Sequence, residues 1–411
     1  MPIEHWPEPR ATQALIDQLY ITYEGPSSFW YTNLTYVDSM VPYAVTGDYL
    51  TMSASPFTNF DAQGLPQSEY YGTDYYNPVT IARFVLNQHG KYVKGDNAAL
   101  SKMVLAADKL LALQDAGGGF PYPYTHGTPP RSLQPGWLSA MAQGLALSAF
   151  SRAYLTTGAG KYLTAGEAAY VRLSIPIGNG GLRGSMADLD PTLSGYVFFP
   201  EYPYAKLDYT LNGYMFTLLG LYDWSKLANA SSKDAAGVDF QDGLRTLERI
   251  IPYYDFGGYS MYDLSFITHN QPLTSPNYQP VHLELLHALN CIVSSPVLKY
   301  YEATWLRRIQ AMNARLRIVT ANYSATTVKV GAQISVSIGV AGGNGAAVSY
   351  KFMVKKNGGS WSILQDWSAD NSVVWAPPNS PGDWTFALFV KNVNSPDAYD
   401  HTRNQPITVV P

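Results

Sequence analysis

Gly136-Trp137-Leu138-Ser139-Ala140-Met141-Ala142-Gln143-Gly144-Leu145-Ala146-Leu147-Ser148-Ala149-Phe150-Ser151-Arg152-Ala153-Tyr154 reads as one helix that is apolar nearly all round, with Arg152 its only charge. A helix of that kind is buried on most sides. The 3.6-residue period extends outward from it, starting at about residue 76. It marks eight helical stretches, at about 78–90, 96–114, 137–156, 160–174, 210–228, 235–251, 280–293 and 296–317. The last is the clearest: Leu298, Tyr301, Trp305, Ile309, Met312 and Leu316 recur at steps of three and four behind the start signal Ser295-Pro296.

The links between these helices alternate in length. Those at 115–136, 175–209 and 252–279 are long and rich in Gly, Pro and Tyr. Helix pairs standing side by side with their long loops at one end describe a mostly α chain, an incomplete (α/α) toroid of about four pairs. The long loops are where chemistry is expected. After about residue 318 the period becomes 2: Ile334, Val336, Ile338 and Val340 alternate with small polar residues, as do Trp384, Phe386, Leu388 and Val390. Asn357-Gly358 marks a hairpin turn. This pattern predicts an all-β sandwich of immunoglobulin-like type. Residues 1–75 lack a helical period and read as an arm of loops and short strands, Tyr49-Leu50-Thr51-Met52 among them. The expected domains are therefore 1–75, 76–317 and 318–411.

Composition narrows the function. Of 411 residues, 46% are hydrophobic and only 14% charged, the balance of a packed chain and not a disordered one. A net charge of -4 argues against a nucleic-acid partner and mildly against a fully sulfated polysaccharide. No stretch approaches the roughly 20 apolar residues of a membrane span. Cys291 is the single cysteine, so no intrachain disulfide and no zinc site are expected. The start, Met1-Pro2-Ile3-Glu4-His5-Trp6, has no leader pattern. The compartment is thus open, with an extracellular or periplasmic place favoured if a leader has been removed.

Within the long loops, tyrosines gather around one glutamate. Pro200-Glu201-Tyr202-Pro203, Leu211-Asn212-Gly213, Met261-Tyr262-Asp263-Leu264, Tyr278 and His282 stand at the mouths of successive predicted helices. A carboxylate, three tyrosines and a histidine can supply proton donors and acceptors on two sides of a sugar ring. Each also has a plainer reading. Glu201 can be a helix-start charge, Tyr262 and Tyr278 packing aromatics, His282 a brace for its helix and Asn212 a loop anchor; Asp263 reads as structural. Gly117-Gly118-Gly119 leads to Phe120-Pro121, with neither a lysine nor a helix after it, so it is no phosphate loop.

From about Tyr75 to Arg308 the chain resembles the catalytic C-terminal domain of the heparosan glucuronyl C5-epimerases. The resemblance rests on Leu133-Gln134-Pro135-Gly136-Trp137, Ser139-Ala140-Met141-Ala142-Gln143-Gly144, Arg152-Ala153-Tyr154-Leu155, Glu201-Tyr202-Pro203, Leu211-Asn212-Gly213, Gly220-Leu221-Tyr222-Asp223, Tyr262-Asp263-Leu264, and Tyr278 with His282. It implies an (α/α) toroid acting without cofactor or metal on an acidic, hexuronate-containing polysaccharide, with a homodimer as a further expectation. It also implies Glu201 and Tyr278 as opposed proton-transfer groups, with Tyr202 and Tyr262 as further catalytic residues. Asn212, His282, Arg131, Gln143 and Tyr76 are the expected substrate-binding residues. The animal enzymes carry Arg-His directly after Tyr-Asp-Leu, whereas this chain has Ser265-Phe266. Arg131, Arg83, Lys206, His126 and His269 are the available substitutes for that cation.

The expected activity is conversion of D-glucuronate to L-iduronate inside a chain. Its rivals are a lyase, which removes the same C5 proton and then expels the C4 oxygen, and a non-catalytic glycan-binding protein.

Overall fold

The computed structural model describes residues 43, 44, 46, 47, 49, 57–129, 131–227, 229–269, 278–314 and 316–411, and every side chain among them except those of 188 and 309–314. Within this range the chain divides into two compact units, which meet in sequence between Leu306 and Arg307.

The first unit opens with a hairpin, β1 (Ser68–Tyr70) and β2 (Thr73–Tyr75). Helices α1 (Pro78–Val93) and α2 (Ala98–Leu113) follow, then a hairpin of β3 (His126–Thr128) and β4 (Arg131–Leu133). Next come α3 (Ala140–Thr157) and α4 (Gly160–Ser174), and the small pair β5 (Gly184–Ser185) with β6 (Val197–Phe198). Helices α5 (Leu211–Ser225) and α6 (Lys233–Ile250) lead to the pair β7 (Asp255–Phe256) and β8 (Tyr259–Ser260). A single turn, α7 (Ser265–Thr268), precedes α8 (Gln279–Ile292) and α9 (Pro296–Ala314). Each of the eight stretches expected from the period is a helix, with ends shifted by a few residues. The small hairpins occupy the long links. Of the expected strand at Tyr49–Met52, Tyr49 lies outside any strand and Leu50–Met52 lie outside the described residues.

Helix α3 is the core of this unit, with every residue from Ala140 to Ala153 buried. It packs on α1 to one side and α5 to the other, and α5 in turn packs on α8. α2, α4 and α6 each pair with the helix before them. α3 and α5 run parallel. Near their starts the Ala140 N–H bonds the Pro200 carbonyl, in the loop leading to α5, at 3.0 Å. At their ends Arg152 meets Asp223 at 2.6 Å. Between these points the backbones touch, because a Cβ on Gly144 would stand 2.5 Å from the Thr217 Cα and one on Gly220 2.1 Å from the Gly144 carbonyl oxygen. The only charge of α3 is therefore buried and neutralised by an aspartate of the neighbouring α5.

In the second unit, strands β9 (Arg317–Tyr323), β11 (Ile334–Ala341) and β14 (Ser372–Trp375) form one sheet in the order β14-β11-β9. Strands β10 (Thr327–Lys329), β12 (Val348–Lys356), β13 (Ser362–Ser368), β15 (Gly382–Asn392) and β16 (His401–Val410) form another in the order β10-β16-β15-β12-β13. All pairings are antiparallel except β10 with β16. The alternating residues meet as the period-2 pattern requires: Ile334, Val336, Ile338, Trp384, Phe386, Leu388 and Val390 share one buried cluster, and Val340 packs at its edge. Asn357-Gly358 forms the turn between β12 and β13, with Gly358 at φ +84°.

Candidate active site

The loop between β6 and α5 carries Glu201 to the start of α5, where its carboxylate lies over the first turn. A Cβ on Gly213 would stand 2.4 Å from Glu201 Oε2, so only glycine lets the carboxylate approach this closely. The Gly213 N–H and the Asn212 amide, 3.3 Å away, both donate to it. Those bonds favour the ionised form, as the positive end of a helix does. Burial wins: Glu201 is 8% exposed, and loss of water pushes its carboxyl up to about 7, with the nearby charge of Asp208 adding to the rise. Among the described residues no cation lies within ion-pairing distance of it.

Three tyrosines continue from this carboxyl. The Tyr202 hydroxyl bonds Glu201, and the Tyr262 hydroxyl reaches the Tyr202 oxygen at 3.5 Å. The Tyr262 ring lies 4.6 Å from that of Tyr278, which is 40% exposed. Burial raises all three phenols above their ordinary value, and the Glu201 charge raises them further, so they hold their protons at neutral pH. Tyr262 reaches this place because the chain around it is sewn to the start of α5. The Leu211 N–H bonds the Tyr262 carbonyl at 2.9 Å, and the Leu264 N–H bonds the Asp208 carbonyl at 2.8 Å. Tyr278 sits at the start of α8, which Gln279 pins by bonds from its side-chain amide to the Gly258 and Trp305 carbonyls.

The other expected site residues scatter. Asn212 belongs to the cluster through its bond to Glu201. Arg131, on β4, lies where its charge stabilises ionised Asp208 and Tyr204 and opposes protonation of His269. Gln143 needs correcting. Fully buried in α3, it spends its amide on the Gly118 and Ala169 carbonyls, so it ties a loop to α4 and has no face for a substrate. His282 needs the same correction, since it is fully buried behind Tyr278 with Nδ1 2.8 Å from Ser260 Oγ. Burial lowers its pKa to about 3, so it is a neutral brace. Tyr76 stands apart: its hydroxyl bonds Asp61 at 2.7 Å, and Lys109 lies over its ring. Asp263 accepts bonds from the Ser265 N–H and hydroxyl at the start of α7, a structural use. Ser265 is itself buried and supplies no charge.

Two features escaped the sequence reading. Asp208 is buried, and loss of water with the Asp263 charge beside it pushes its carboxyl up to about 7 as well. Its one signal is its place three residues before Leu211-Asn212-Gly213, as a charge entering an apolar helix. The second is a stack of rings. His126 lies flat on Tyr202 with centroids 4.5 Å apart, and Trp137 approaches the same ring at 6.0 Å. Chain separation hides such contacts. Arg83, on α1, lies where its charge favours ionised Tyr278 and Glu284.

Residues 114–307 match the family model described as the D-glucuronyl C5-epimerase C-terminus. The chain is 32% identical over 217 residues to the D-glucuronyl C5-epimerase of Caenorhabditis elegans, an alignment covering 49% of this chain and 34% of that protein. It is 30% identical over 181 residues to an uncharacterised protein of Methanocaldococcus jannaschii, covering 44% of this chain and 55% of the other. The chain thus spans between about a third and a little over half the length of these curated relatives.

Proposed function

We propose, from the match of residues 114–307 to the D-glucuronyl C5-epimerase C-terminus, that the chain is an isomerase inverting C5 of D-glucuronate within an acidic polysaccharide to give L-iduronate. In this reading the row α1, α3, α5, α8 with its outer partners is an incomplete (α/α) toroid, and the C-terminal sheets are an immunoglobulin-like sandwich.

The observation that carries the reading is a buried carboxyl poised near neutral pH at the head of a line of protonated phenols. The C5–H of a uronate is weakly acidic because its electron pair can move into the neighbouring carboxylate as an enediolate. A base whose pKa lies near the working pH suits that step, and Glu201 at about 7 is such a base. Phenols that stay protonated suit the return step. Glu201 takes the C5 proton; the enediolate collapses and C5 receives a proton from Tyr278 on the other face. Tyr202 and Tyr262 then carry a proton from Glu201 back toward Tyr278, resetting both groups. Asn212 and the Gly213 N–H aim the carboxylate. With Ser265 buried and neutral, Arg83 beside Tyr278 and Arg131 at the rim are the cations that draw in the sugar carboxylate.

Incubating the protein with an unsulfated glucuronan in heavy water tests this. Deuterium at C5 of both epimers, without 4,5-unsaturated ends, is the expected NMR result. Unsaturated ends without epimer exchange would mean elimination and would overturn the reading.

A further inference from the structure

Two described residues other than glycine adopt a left-handed backbone, Tyr71 at φ +54° and Tyr209 at φ +59°. Tyr209 is buried beside the candidate site, and its carbonyl accepts the Tyr254 hydroxyl. Tyr71 has no such excuse. It is the first residue of the two-residue turn between β1 and β2, followed by Gly72 at φ +77°, and the ladder closes at Tyr70 opposite Thr73. Two positive φ values make a type I′ turn, whose first position suits asparagine, aspartate or glycine and penalises a bulky side chain. Tyrosine there loses stability, and the ring gains nothing from the fold, being 80% exposed. Strain without packing gain points to a use outside the folded chain.

The hairpin's position says what that use is. The Tyr70 ring stacks on Tyr124 at 4.2 Å, and Tyr124 approaches Trp137 edge-on at 6.3 Å. Trp137 lies 6.0 Å from Tyr202, whose hydroxyl bonds Glu201. These rings pack on one another, Tyr124 being buried among them, and so fix the hairpin in place on the same side of the unit as the candidate base. Aromatic faces pair with the C–H face of a pyranose, and a phenol keeps a hydroxyl for the sugar's own.

We propose that Tyr71 is an outlying platform for the polysaccharide, stacking on a sugar ring of the same chain some residues away from the one at Glu201. This subsite rests on the uronan reading above. The test compares wild type, Tyr71→Asn and Tyr71→Phe by calorimetric binding of a long unsulfated glucuronan and of a short glucuronate oligosaccharide. Tyr71→Asn, with the favoured Asn-Gly turn, is expected to raise Tm while cutting the preference for the long chain by about threefold to tenfold. Tyr71→Phe keeps the preference. Wild type that binds and discriminates yet shows no C5 exchange would refute the reading and leave the subsite standing. A Tyr71→Asn variant that melts higher and prefers the long chain as wild type does would overturn the subsite, as would wild type with no preference to lose.

Discussion

At the far ends of α3 and α5, Arg152 and Asp223 meet at 2.6 Å, both wholly buried, and the Tyr43 hydroxyl donates to the same carboxylate at 2.6 Å. At the near ends of the same two helices Glu201 is nearly as deeply buried, but its partners are two N–H donors and a phenol. Both places remove a carboxylate from water. One is neutralised by a fixed guanidinium and acts as a rivet. The other is left to bind and release a proton close to neutral pH. The helix pair shows that two buried carboxylates differ in charge balance: among the described residues Asp223 has a cation beside it and Glu201 has none.

The comparison can be broken at the rivet first. Asp223→Ala strands Arg152 in the core and is expected to lower stability by about 3–5 kcal/mol, read as a large fall in Tm and in the denaturation midpoint. A loss under 1 kcal/mol would mean that water reaches Arg152. At the near end the large effect falls on activity. Glu201→Gln is expected to lower C5 exchange by about 100-fold or more while the protein stays folded. Exchange within about tenfold of wild type would remove Glu201 as the base. Tyr278→Phe belongs with it, an equally folded variant losing about 100-fold in kcat/KM through loss of the returning acid.

Stability should move the other way in Glu201→Gln. The carboxyl rises from 4.5 to about 7 on folding, so the unfolded chain releases its proton first, and Glu201 destabilises the fold as pH climbs through that window. The amide mimics the protonated form. Melts at pH 8 should therefore favour Glu201→Gln by about 1–3 kcal/mol, with little difference at pH 4. The same ionisation governs catalysis, and kcat/KM should climb with pH to a plateau above about 7. The smallest effect is expected for Tyr262→Phe. Its hydroxyl contact with Tyr202 is long, at 3.5 Å, so about a threefold to tenfold loss of kcat/KM follows. A dead Tyr262→Phe beside a nearly normal Tyr278→Phe would exchange their roles.

How much of this was legible beforehand follows the range of the interactions. Helix existence rests on local periodicity, and the strands after residue 318 on alternation, so both could be read directly. That Glu201, Tyr202 and Asn212 lie together was also legible, because the motif that holds them spans one loop and one helix start. Gln143 and His282 misled for one reason. A polar residue in a motif looks the same whether it faces a cleft or satisfies buried backbone carbonyls, and only packing tells the two apart. Tyr76 misled because its partners, Asp61 and Lys109, come from elsewhere in the chain.

The sequence by itself thus determined a helical unit built around Ala140–Ala153, a β unit after it, and the glutamate and tyrosines of its long loops, since each depends on neighbours a few residues apart. Only the tertiary structure decided that Arg152 is cancelled by Asp223, 71 positions away, while Glu201 meets no cation among the described residues and is pushed up to about 7 by burial. It also decided that His126 and Trp137 flank Tyr202, and that Tyr71 is left exposed on a strained turn. The physical reason is that a pKa and a binding face are set by desolvation and by charges and rings within a few ångströms, and the fold draws those from distant parts of the chain.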